Sequence, residues 1–178
     1  PGEYLVDLAA EYLERDPDGA RALLARPEPE RTEEAGRHAV AHMVAGQRHV
    51  LAHYGTEFDR WSHEAADVRA AGLPERGIEA LAAAGHTYEQ DGALWFRSTD
   101  YGDDKDRVII RSNGEPTYFA ADIGYVTEKF SRGFDHLIYI WGADHHGTVA
   151  RVRNAAEAMG YDREAVEMKL YSWVRFVR

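Results

Sequence analysis

The stretch His136-Leu137-Ile138-Tyr139-Ile140-Trp141-Gly142-Ala143-Asp144-His145-His146-Gly147 decides the fold. Its apolar run through Trp141, bounded by charged residues and glycine, has the length and pattern of a strand buried in a parallel sheet. A helix is expected from about Gly147 to Met159, followed by a second apolar strand from Met168 to Trp173. Working backwards, Arg107-Val108-Ile109-Ile110-Arg111 reads as a strand closed by the turn residues Asn113-Gly114. Pro116 then stands where a helix running through Phe130 can begin. Residues 107–173 therefore alternate strand, helix, strand, helix, strand, which predicts an α/β fold built on a doubly wound, Rossmann-like parallel sheet.

Upstream the chain changes character. Tyr88 to Phe96 predicts a hairpin around Asp91-Gly92, and Pro74 to Ala84 a helix stopped by Gly85. Before these, helices are expected over Tyr4–Leu13 and Ala20–Ala25, and a longer one from about Thr32 to Tyr54, stopped by Gly55. Thr56 to Trp61 reads as extended. The expected division is a mainly helical region over 1–88, placed as an insertion on the N-terminal side, and the sheet-bearing part over 89–178.

In the long helix, Val40, Met43, Val44, Val50, Leu51 and Tyr54 share one face, as if packed on a core. His38, His42, His49 and His53 lie opposite, as two i,i+4 pairs. Imidazoles at that spacing can chelate a transition metal, but His38-Ala39-Val40-Ala41-His42 lacks the glutamate a zinc protease places between them. A solvated, titratable stripe is the expectation, and a metal site the alternative.

The composition narrows the function classes. With 178 residues, 44% of them hydrophobic and 29% charged, the chain can bury a sizeable core. A net charge of −10 argues against a protein whose main task is to grip phosphate backbones. The absence of cysteine excludes disulfides, thiolate nucleophiles and cysteine zinc sites. No apolar run is long enough to span a bilayer, and Pro1-Gly2-Glu3-Tyr4 carries no signal-peptide features, reading instead as a cut end. A cytoplasmic protein without membrane contact is expected.

Two clusters can carry chemistry. In open parallel sheets, ligands bind beyond the carboxyl ends of the strands, where Gly142 would let a ligand approach the backbone. Asp144 could there accept hydrogen bonds from ribose hydroxyls. Asp144, His145 and His146 could equally ligate a metal, or Asp144 could cap the next helix. The second cluster is Pro116-Thr117-Tyr118-Phe119-Ala120-Ala121-Asp122, where Tyr118 and Asp122 fall one helical turn apart. A carboxylate can take a guanidinium in a two-pronged pair, and a tyrosine ring can lie against that planar cation. A packed tyrosine and a solvated aspartate are the plainer reading of the same spacing.

Taken in order, Leu94-Trp95-Phe96-Arg97-Ser98, Asp103-Asp104-Lys105-Asp106-Arg107-Val108, Thr117-Tyr118-Phe119-Ala120-Ala121-Asp122-Ile123 and Trp141-Gly142-Ala143-Asp144-His145-His146-Gly147 resemble the central portion of bacterial arginyl-tRNA synthetases. The resemblance is dense from Asp91 onward and looser through Gly55 to Trp61 and Gly2-Glu3-Tyr4. It implies a class I synthetase catalytic domain that joins arginine to ATP, with Mg²⁺, and transfers the arginyl group to its tRNA. It implies arginine recognition by Tyr118, Asp122 and His145, and ATP contact by Gly142, Asp144 and His146. It also implies a parent that works as a monomer.

The departures are equally specific. Neither the family's His-x-Gly-His element nor its Lys-Met-Ser-Lys-type loop occurs here, and Lys105, Lys129 and Lys169 lie outside any such motif. No catalytic residue is therefore assigned within the chain, which reads as an internal piece of the ligase, inactive alone. Two readings compete with it. One is a stand-alone module that binds arginine or nucleotide without catalysis. The other is a metal-binding helical protein built on the histidine stripe.

Overall fold

The computed structural model describes residues 2–175 and 177. It divides into two compact units, one up to Trp61 and one from Ser62 onward.

The first unit is helical: α1 (Tyr4–Arg15), α2 (Pro17–Leu24) and α3 (Glu28–His53). Helix α2 starts where it does because the Asp16 side chain accepts the amide of Gly19 at 2.9 Å and Pro17 follows at the first helical position. Gly55, at φ +71°, supplies the left-handed residue after α3.

No residue of α3 is buried, so its apolar face differs from expectation, while on the histidine side His42, His49 and His53 are exposed and His38 is half-buried. His38 stacks on Tyr12 of α1 with ring centroids 4.5 Å apart, and the Nδ1 of His42 lies 3.8 Å from a Glu11 carboxylate oxygen. Both line an apolar cleft of about 410 Å³ with Leu5, Leu8, Leu23 and Ala39. Val40, Met43, Val50 and Tyr54, expected to face a core, are exposed, while Val44 and Leu51 are half-buried. Periodicity identifies an apolar face but not what covers it. Here small residues on the other side, Ala35, Gly36 and Ala39, line the cleft with α1 and α2.

The second unit holds a six-residue π-helical segment (Glu64–Arg69), α4 (Leu73–Ala83), β1 (Thr87–Gln90), β2 (Ala93–Phe96), β3 (Arg107–Ile110), α5 (Tyr118–Ser131), β4 (Leu137–Gly142), α6 (His146–Ala158) and β5 (Val166–Tyr171). Strands β1, β2 and β3 form an antiparallel sheet, and β4 and β5 a parallel pair joined through α6. The architecture is the expected mixed α/β, with one correction. β3 pairs antiparallel with β2, so it extends the hairpin sheet and is not a strand of the parallel one. Alternation of element types does not choose a strand's partner. The short connection from the hairpin makes β2 the nearest free edge.

Helix α5 is the centre of the unit. Phe119, Ala120, Ala121, Ile123, Gly124, Val126 and Glu128 are all buried, so it is enclosed on most sides. Phe119 and Ile123 pack with Leu81, Phe96, Ile109 and Ala155, while Val126 packs with Leu137, Tyr139, Val152 and Val166. Its approach to α4 depends on two glycines. A Cβ at Gly124 would lie 2.9 Å from the Pro74 backbone nitrogen, and one at Gly77 would lie 2.4 Å from Cγ2 of Ile123.

The parallel pair is covered on one face only. Leu137 and Tyr139 are buried against the helices, whereas Ile138 and Ile140 are 57% and 72% exposed. The apolar run therefore reflects alternation with one uncovered face, and not the two-sided burial its sequence suggests.

Candidate functional site

The start of α5 is fixed by Thr117. Its amide donates to the Ile109 carbonyl at 2.9 Å, and its hydroxyl lies 3.0 Å from the carbonyl oxygens of both Val108 and Ile109. These bonds tie the helix N-terminus to β3 and so set the rotation of the residues that follow. Asp122, one turn in, points into a cavity of about 180 Å³ lined also by Tyr125, Lys129, Tyr139, Trp141 and Val152.

The face that reaches this cavity is a helical repeat: Asp122, Tyr125 and Lys129 stand three and four residues apart on α5. Opposite them, Tyr139 and Trp141 project from the covered side of β4, their rings edge to face at 5.3 Å. The Lys129 ammonium lies 3.7 Å from the Tyr139 ring centroid and 5.0 Å from that of Tyr125, within the range of a cation–π contact. The Tyr139 hydroxyl is buried without a hydrogen-bond partner among the described residues.

Asp122 is half-buried. Burial pushes its carboxyl up to about 6, with the Glu64 charge adding to the rise, while Arg151, His145 and Lys129 pull it back. Burial also lowers the Lys129 ammonium to about 8, against the opposing pull of Glu128 and Asp122. Burial raises the Tyr139 hydroxyl far beyond the ordinary phenol. The carboxylate against an aromatic wall can accept a planar cation edge-on, with the ring faces excluding water, while the Lys129 ammonium opposes it.

Tyr118 is placed otherwise. It is the first residue of α5, 81% exposed, on the face of Asp122 but outside the cavity lining. Sequence reasoning paired it with Asp122 and passed over Lys129, Tyr125 and Tyr139. The i+3 and i+7 spacing from Asp122 could have found the first two. Nothing local could have found Tyr139, which arrives from another element.

The second candidate cluster follows β4. Gly142 is its last residue, at the carboxyl end of the parallel pair. A side chain there would meet the Asp144 carboxylate, since a Cβ would lie 2.3 Å from its Oδ1. Asp144 is not the cap of α6. The N-cap is His145, with no side-chain capping bond, which leaves the Asp144 carboxylate facing solvent and 3.8 Å from Nε2 of His145. His145 lies 5.4 Å from the Trp141 ring, and its charge acts on Asp122, so Trp141 is the wall shared by the two clusters. His146 opens α6 and borders a separate cavity of about 440 Å³ with Val149, Arg153, Arg163, Met168 and Leu170. Among the described residues no three His, Asp or Glu side chains converge to hold a metal ion, on the histidine stripe or after β4.

A buried polar network supports the other end of the unit. Arg107 donates from Nε to Asp103 at 2.8 Å, and Asp103 also accepts from the Ser98 hydroxyl at 2.7 Å. Asn154 donates to the Ser98 hydroxyl at 3.2 Å and accepts from Arg163 at 2.5 Å. These groups satisfy one another and are structural.

Comparison with known proteins gives one consistent result. The family model for the catalytic domain of class I tRNA synthetases (R) matches residues 44–174. The arginine–tRNA ligase of Symbiobacterium thermophilum is 44% identical over 178 residues, which is 100% of this chain and 31% of that protein. That of Syntrophotalea carbinolica is 45% identical over 177 residues, 99% of this chain and 31% of its own. A Campylobacter jejuni crystal structure assigned as an arginyl-tRNA synthetase superposes with a TM-score of 0.82 at 35% identity, covering 97% of this chain and 36% of that one. The Thermus thermophilus arginyl-tRNA synthetase superposes with a TM-score of 0.60 at 20% identity, covering 94% and 34%, a likeness of fold alone. The chain thus spans about a third of the length of the relatives it matches. No helix among the described residues is long and apolar enough to cross a membrane.

Proposed function

The chain belongs to the family of class I arginyl-tRNA synthetase catalytic domains, and on that premise we propose that it forms the arginine pocket and part of the ATP site of an arginine–tRNA ligase. The observation that carries the reading is Asp122. A carboxylate half-buried beside an aromatic wall, to which no described side chain donates a hydrogen bond, is costly unless a ligand pairs with it. An incoming guanidinium supplies that partner in two parallel bonds, which an ammonium cannot reproduce. Tyr118 and His145 are assigned to the same substrate, Tyr118 from the solvent side of α5.

Gly142, Asp144 and His146 are assigned to ATP, with Asp144 accepting from the ribose hydroxyls and the backbone near Gly142 open to close approach. Magnesium would come with the nucleotide's phosphates. The described residues build no cage for the ion. In the adenylation step this chain's part is positional: it holds the amino acid and the ribose so that the reacting groups meet in line. The chain contains neither a His-x-Gly-His nor a Lys-Met-Ser-Lys-type element, so the groups that stabilise the transferring phosphate come from elsewhere in a longer, cytoplasmic, monomeric ligase. Alone, it does not charge tRNA. The uncovered Ile138 and Ile140 face of the parallel pair fits a sheet completed by further chain.

Steady-state kinetics of the full-length protein test the assignment. Asp122→Ala is expected to lower kcat/KM for arginine by roughly a hundredfold or more, the scale of a lost buried charge pair of several kcal/mol. Asp144→Ala is expected to raise the KM for ATP and leave that for arginine nearly unchanged. An unaltered arginine constant in Asp122→Ala sinks the pocket assignment.

A further inference from the structure

Asp122 shares its cavity with a second charge. Lys129 stands two turns further along α5, and both side chains line the same space of about 180 Å³. The ammonium is held there by the Tyr139 face at 3.7 Å and the Tyr125 face at 5.0 Å. It is a fixed cation in a pocket assigned to a cationic substrate, and the two positive charges oppose each other.

We infer that Lys129 is a positioning residue of the pocket, a second charge sharing the cavity of Asp122 without pairing with it, and that a guanidinium docking on Asp122 drives the proton off the Lys129 ammonium. The inference rests on the assignment of the cavity to arginine. The charged and titratable groups that act on the pair come from every side. Glu128 lies on α5 itself and Arg132 is its C-cap. Glu64 acts from the π-helical segment, Arg151 from α6, His145 from the loop after β4, and Tyr139 from β4.

Before substrate binds, Asp122 is one of two carboxylates that sustain the ammonium against burial. When a guanidinium pairs with Asp122, that support is neutralised and a like charge is added to the same cavity, in a medium where such charges interact strongly. Burial already holds Lys129 at about 8, so little further is needed to deprotonate it near neutral pH. The balance is simple. The lysine passes one proton to solvent and becomes a neutral amine, while the guanidinium, whose own proton is not released in proteins, stays charged. The neutral amine can then accept a hydrogen bond from the substrate.

Calorimetric titration of the full-length protein with L-arginine, at pH 8 in buffers of different ionisation enthalpy, counts the protons. Asp122, at about 6, is already ionised there and contributes almost nothing. The wild type should release about half a proton per arginine, the fraction of Lys129 still charged at its own pKa. Lys129→Met should release none beyond the substrate's own contribution, which is common to both proteins. Lys129→Arg keeps a cation that cannot shed its proton. It should also release none, and should bind arginine at least about tenfold more weakly. That variant decides the matter if Lys129→Met does not fold. Equal proton release in the wild type and in whichever variant folds overturns the inference. Asp122→Asn separates the two claims. If it keeps its arginine affinity, the pocket assignment fails; if it loses affinity while the Lys129 variants release protons like the wild type, only the role of Lys129 fails.

Discussion

Asp122 places function and stability in opposition, and Asp122→Asn makes that measurable. In the folded protein burial and Glu64 raise its carboxyl from 3.8 to about 6, which corresponds to about 3 kcal/mol against the ionised fold at neutral pH. The sign follows from the direction of the shift. Between those two values the folded state holds a proton that the unfolded state has lost, so wild-type stability falls as pH rises through the window and levels off above it. Asparagine carries no charge to desolvate, but its amide is left without a hydrogen-bond partner, which returns about 1 kcal/mol. Asp122→Asn should therefore be more stable than wild type by about 1–2 kcal/mol at pH 7.5, and the advantage should shrink by about 2 kcal/mol at pH 4. Urea unfolding at both pH values, read as a shift in midpoint at constant slope, measures it. A variant less stable than wild type at pH 7.5, or a difference that does not change with pH, refutes the argument. A carboxylate whose removal strengthens the fold and abolishes arginine binding is kept for the ligand.

The packing and the buried ion pair give two further outcomes. Gly124→Ala drives a methyl group to 2.9 Å from the Pro74 backbone nitrogen, where neither helix can yield cheaply, and should cost roughly 2–3 kcal/mol; an unchanged melting temperature would contradict the close approach of α4 and α5. Asp103→Asn leaves a largely buried Arg107 without its main partner and should cost roughly 3 kcal/mol at pH 7. The pH dependence has the opposite sign to that of Asp122. Arg107 and Ser98 hold Asp103 well below the usual carboxylate range, so its contribution is present above pH 3.8 and disappears only as pH falls below it. The acid limb of the stability profile should flatten in Asp103→Asn.

What the sequence determined by itself was local. The helices and strands lie close to where apolar periodicity put them, because a period of 3.6 or 2 depends only on near neighbours. The hairpin turn at Asp91-Gly92 takes φ of 51° and 73°, as its residue types require. The ordered motifs around Asp122 and Asp144 were enough to indicate the family. What only tertiary structure decided was which surfaces meet. β3 pairs with the hairpin because an open edge was near, and alternation of elements carries no information about edges. On α3 the N-terminal part of the histidine side, at His38 and Ala39, meets α1 and α2, while His42, His49 and His53 are exposed, and no pattern within one helix says which stretch of a face is met. The cavity is the clearest case. Asp122, Tyr125 and Lys129 share a face that spacing can show, but their perturbed acidities come first from burial, and for Asp122 and Tyr125 also from the charge of Glu64, a group far away along the chain. Desolvation depends on everything packed around a group, so the chemistry of this pocket exists only once the chain has folded.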